Sequence, residues 1–109
     1  MILALSNMIP ISSSPEMFKE VLLKYNKVII RVDNLENDYT NSCKPEELII
    51  VEPGRPVISA TKRYIIGIGN RLLYCRAIQK RNKSVIYILG IGEMKISDII
   101  IWCNAKKKK

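Results

Sequence analysis

The chain has 109 residues, which fits one domain and leaves no room for a second, independent core. Apolar residues make up 48% and charged residues 26%, a globular balance that excludes disorder as a description of the whole chain. Net charge is +8 and the pI is near 9.6, so an acidic partner comes first to mind; there is no histidine, which removes His-based triads, His metal ligands and the usual general base.

Isoleucine is the commonest residue and Gln79 is the lone glutamine, a bias of thermophile and archaeal type that the eight asparagines weaken. No apolar run reaches the roughly 18 residues of a membrane span. The opening MILALSNMIPI lacks a basic n-region and a small-residue cleavage site. It reads as a short strand over Ile2 to Leu5 rather than a signal peptide.

A helix is predicted over 15–25. Ser13 and Glu16 match a capping box, and Pro15 suits the first turn. Phe18, Val21, Leu22 and Tyr25 follow the i, i+3, i+4, i+7 stripe, and Asn26 is a C-terminal stop. Val28, Ile30 and Val32 then share one face of a strand. Residues 34–46 are polar and read as a long loop. Leu48 to Val51 has strand length, and Pro53-Gly54-Arg55-Pro56 is a turn signal. Val57 to Ala60 is expected to return as the next strand.

Tyr64-Ile-Ile-Gly-Ile-Gly69 recurs as Tyr87-Ile-Leu-Gly-Ile-Gly92. The echo suggests two strands in similar environments, each ending at glycines that permit a bulge or turn. Residues 70–82 between the copies fit either a hairpin partner or the helix of a βαβ unit over 64–89. Tyr74 and Cys75 favour the strand. Ile96 to Cys103 carries both helical spacing and a β-branched run, and stays open as a short terminal element. Residues 106–109 read as a solvated lysine tail behind a domain of residues 1–105.

The expected fold is therefore a single small α+β domain, mainly antiparallel sheet with one amphipathic helix. The alternative is an α/β arrangement with a βαβ unit at 64–89. Its compartment is taken as cytoplasmic and reducing, because Cys43, Cys75 and Cys103 are odd in number and widely spaced.

Charge is divided along the chain. Residues 1–60 carry −2 and residues 61–109 carry +10. The basic half supplies the candidate nucleic-acid contacts: Lys62, Arg63, Arg71, Arg76, Lys80, Arg81, Lys83 and Lys106, Lys107, Lys108 and Lys109, interleaved with Tyr74 and Tyr87. Cations neutralise phosphates and aromatic faces stack on bases. A two-residue turn at Arg81-Asn82 sets Arg76 opposite Tyr87 and Tyr74 diagonal to it, as a small stacking platform beside a basic hairpin tip.

Other chemistries are weaker. Gly67-x-Gly69 lacks the third glycine of a dinucleotide fingerprint, and no P-loop is present. Glu93 and Lys95, with Asp33, could serve a metal-dependent nuclease only if a second carboxylate came near. No aromatic RNP sequence or GxxG loop is present. No cofactor, metal or catalytic residue is expected. The reading is non-enzymatic binding of nucleic acid, RNA before DNA, as a small ribosome- or ribonucleoprotein-associated component. The alternative is a protein-interaction module or homo-oligomer that pairs acidic and basic faces.

Overall fold

The computed structural model describes residues 2–4, 7–9, 14–36 and 44–108. In chain order these form β1 (Ile2–Ala4), β2 (Asn7–Ile9), α1 (Pro15–Tyr25), β3 (Val28–Arg31), β4 (Leu48–Val51), β5 (Arg63–Ile68), β6 (Arg71–Gln79), β7 (Val85–Ile88), β8 (Gly92–Lys95) and β9 (Ile99–Lys107). Short 3-10 turns follow β3 and precede β9. No helix among the described residues is long and apolar enough to cross a membrane.

Helix α1 stands where its local signals put it. The cap is Ser14, one residue beyond the expected one, and its hydroxyl accepts the Met17 N–H. Asn26 adopts a left-handed conformation at φ 61° and donates its N–H to the Leu22 carbonyl. Pro15, Phe18 and Leu22 form the buried face. Ser13 lies outside the described residues.

The strands join antiparallel in the order β2-β1-β3-β4-β9-β5-β6-β7-β8. The chain leaving β3 then comes round to the far side of β6. Glu36 pairs in parallel with Leu73, donating its N–H to Leu72 and accepting from Tyr74. Strands β3, β4, β9, β5 and β6 with this return make a closed hydrogen-bonded ring. A closed ring of five strands with antiparallel neighbours must contain one parallel seam, and Glu36 supplies it.

Alternation along the strands gives the ring its filling. Val28, Ile30 and Val32, Ile49 and Val51, Ile65, Leu72 and Tyr74, and Ile101 and Cys103 point to one core together with Phe18 and Leu22. The opposite face of β5, β6 and β9 is also covered. There Tyr64, Ile66, Leu73, Ala77 and Trp102 pack with Ile86 and Ile88 of β7. β6 makes this second core possible, because residues 71–76 pair with β5 and residues 77–79 pair with β7.

Four expectations need correction. Val57 to Ala60 forms no strand. Pro53 and Pro56 remove donors, and this strap satisfies its backbone through the Tyr64 hydroxyl, which donates to the Val57 and Ser59 carbonyls and accepts the Ser59 N–H. The repeated tyrosines do not share an environment: Tyr64 is fully buried and Tyr87 is 37% exposed. Of the two strands in the echo, only β5 is covered on both faces. Residues 70–82 hold a strand and not a helix, so the βαβ alternative falls. The lysine run is no free tail, since Lys106 pairs with Ile50, Lys107 pairs with Ile49, and Lys108 donates its N–H to the Leu48 carbonyl at 2.9 Å.

Gly67 sits under the first turn of α1. A Cβ there would clash with Ile101 Cγ2 and lie 2.7 Å from the Pro15 Cβ. Gly67→Ala is expected to cost about 1–3 kcal/mol, read as a lower urea midpoint with an unchanged slope. An unshifted midpoint would mean that the helix does not seat on this glycine.

Burial pushes the Cys103 thiol up to about 11. In a Cys43→Ser/Cys75→Ser variant the remaining thiol is therefore expected to resist a disulfide reagent near pH 8 until the protein is unfolded. Rapid reaction in the native state would contradict the packing of β9.

Candidate nucleic-acid interface

The inward-facing rows of the ring do not end in apolar residues. Along β5 the row Gly67, Ile65 ends at Arg63. Along β6 the row Leu72, Tyr74 ends at Arg76. Arg63 and Arg76 are direct cross-strand partners. Along β9 the row Ile101, Cys103, Ala105 ends at Lys107. Each strand thus carries a cation past the last apolar layer, at the end of the ring away from Pro15 and Gly67.

The result is an open groove of about 560 Å³. Lys62, Arg63, Arg76, Lys106 and Lys107 line it, with Thr61 and Asn104 as polar neighbours. None of its described lining residues is acidic. Like charges placed opposite one another on paired strands repel. Arg63 is held in place nonetheless: its guanidinium lies 5.4 Å from the Tyr74 ring centroid and donates to the Tyr74 carbonyl at 3.5 Å. It is 9% exposed. Lys107 Nζ lies 3.4 Å from Glu47 on the rim. The Glu47 carboxyl is held below its ordinary value, first by the Lys44 backbone N–H and then by Lys107.

The candidate residues therefore separate into groups. Lys62, Arg63, Arg76, Lys106 and Lys107 come together. Arg71 stands apart and forms a forked pair with Glu36, with its Nη2 2.6 Å from the carboxylate. That pair holds Glu36 below the usual carboxylate range, chiefly through the hydrogen bond from Arg71. It is exposed and solvent-screened, so it locates the seam more than it strengthens it. Lys108 is exposed at the end of β9, and Lys109 lies outside the described residues.

The stacking platform does not form. Tyr74 is 3% exposed, because it fills the ring core. The hairpin register also differs: Tyr87 stands opposite Ile78, and the Leu89 N–H reaches Arg76. A two-residue turn at Arg81-Asn82 is replaced by a longer loop, in which Asn82 accepts the Val85 N–H on its carbonyl and the Ser84 N–H on its side chain. Lys80 turns back over the Tyr87 ring at 5.9 Å and pairs with Glu93 at 3.1 Å. Arg81 and Lys83 remain exposed at the tip.

A second cationic groove escaped the sequence reading. The strap lays Arg55 over Trp102, with its guanidinium 5.2 Å from the ring centroid. Lys83 and Lys95 face the same depression from the hairpin side. Trp102 is 5% exposed, and its Nε1–H has no acceptor among the described residues. An orphaned buried donor costs about 1–3 kcal/mol. The one local hint of this groove was an arginine fixed between two prolines.

The carboxylates considered for a nuclease are engaged by cations beside them: Asp33 bonds Arg31 at 2.7 Å, and Glu93 pairs with Lys80. Among the described residues no cluster of three His, Cys, Asp or Glu could hold a metal ion. No protein family matches this chain, and neither does a curated protein or a solved structure.

Proposed function

We propose that this protein binds nucleic acid without catalysis, and that the groove at the open end of the strand ring holds the phosphate backbone of a structured RNA. The observation that carries this reading is the convergence of Lys62, Arg63, Arg76 and Lys106 on one concave surface with no described acidic lining. Phosphates spaced along a strand suit such a row, and each contact releases condensed counterions.

The tyrosines add no stacking to this groove, so recognition there rests on charge and shape. Such recognition suits folded RNA, whose backbone geometry is irregular. Duplex DNA is most often read in its major groove by a presented helix. Helix α1 is the one α-helix among the described residues, and its outer surface mixes Glu16, Lys19, Glu20 and Lys24. A component of a ribosome or other ribonucleoprotein is the setting this chemistry fits.

The test is a salt series of anisotropy titrations with a labelled RNA hairpin and a labelled DNA duplex. Arg76→Ala/Lys106→Ala is expected to weaken RNA binding at least about tenfold and to reduce the log–log salt slope by about 2. Arg71→Ala, outside the groove and paired with Glu36, is expected to change neither. Equal losses in both variants would place binding elsewhere, and no binding by wild type at low salt would end the nucleic-acid reading.

A further inference from the structure

We infer that the groove between the strap and the hairpin tip is a second contact, one that takes an unpaired nucleotide by stacking its base on the guanidinium of Arg55. The inference rests on the nucleic-acid reading above and names what the protein would select within it.

The geometry is that of an arginine over a buried indole, reached from the solvent side. Trp102 forms the floor, buried in the second core against Tyr64, whose ring meets it edge-on at 6.5 Å between centroids. Arg55 lies over that floor, with its guanidinium carbon 5.2 Å from the ring centroid. The residue is exposed, so a ligand can approach the guanidinium from the solvent side. A planar cation beside an indole can serve as a platform for a nucleobase, since every base has a π-face and arginine planes stack on them. The backbone that carries Arg55 is restricted by Pro53 and Pro56 on either side, and is tied down where the Tyr64 hydroxyl bonds the strap at Val57 and Ser59.

The surroundings complete a nucleotide's requirements. Two adjoining depressions of about 550 and 380 Å³ share Arg55 and Lys83. Lys83 and Lys95 supply cations for the flanking phosphates, and Asn82, Ser84 and Ser97 supply hydrogen-bonding groups for base or sugar edges. No described lining residue is acidic. A paired base inside a duplex could not present its face to Arg55, so the site selects loops, bulges or single strands.

Trp102 is the chain's one tryptophan, so its fluorescence reports directly on this stack. The experiment titrates a short single-stranded oligoadenylate and a blunt RNA duplex into wild type, Arg55→Lys and Arg76→Ala/Lys106→Ala, following Trp102 emission and the anisotropy of a labelled strand together. Arg55→Lys keeps the charge and loses the plane. The expected result is a change in Trp102 emission on oligoadenylate binding to wild type, affinity for it reduced about tenfold in Arg55→Lys, and the emission change retained in Arg76→Ala/Lys106→Ala. If oligoadenylate binds by anisotropy but leaves Trp102 emission unmoved, or binds Arg55→Lys as tightly as wild type, the stacking site is overturned while nucleic-acid binding stands. If neither RNA binds wild type at low salt, both readings fall.

Discussion

The structure depends on the backbone pairing of β9 along both of its edges. Residues 99–104 bond to β5 and residues 105–107 bond to β4. These are the joints between the half of the sheet that carries α1 and the half that carries the long hairpin. Without β9 the strands β3 and β4 would present an open edge, and β5 would lose one of its two neighbours. The ring, the core beneath α1 and the second core on the far face all follow from this strand. It is rich in β-branched residues where both faces are buried, and polar only where it leaves the core.

The same strand explains the charge. A run of lysines buries no apolar surface, so its composition alone favours disorder. Here a backbone partner is available in Leu48 to Ile50, and hydrogen bonding there does not depend on the side chains. Pairing draws Lys106 and Lys107 to the end of the ring where Arg63 and Arg76 already face each other. Bringing these cations together is electrostatically unfavourable and does nothing for the core. A cluster kept at that cost, on a concave surface with no described acid lining it, is understandable as a site for an anion.

What could be read in the sequence followed the range of the interactions. Helix 15–25 was legible because its cap, its apolar stripe and its stop lie within a dozen residues. The strand over Arg71–Gln79 was only half legible, since its sequence also fitted a helix and Tyr74 and Cys75 alone favoured the strand. Tyr64 and Tyr87 sit in nearly identical local sequences and differ in burial because β5 has neighbours on both faces while β7 lies near the edge of the sheet. Nothing local separates them. Tyr74 looked like a surface aromatic among arginines, yet alternation from Leu72 puts it in the core. Of the candidate contacts, the groove gathers residues distant in sequence, so their grouping was hidden although the charge imbalance was not. Arg55 was marked only by its place between two prolines, since its meaning comes from Trp102, far along the chain.

The measurement closest to the central claim is amide hydrogen exchange at the lysine run, followed residue by residue by NMR. Lys108 donates to Leu48, and antiparallel alternation then makes Lys106 and Ile50 a hydrogen-bonded pair. The Lys106 amide is expected to exchange far more slowly than that of an unstructured lysine, with protection approaching that of the β5-paired residues of β9. Exchange at the free-peptide rate from Lys106 onward would contradict it: β4 would then be unpaired on that edge, and the groove would lose the wall that brings its cations together.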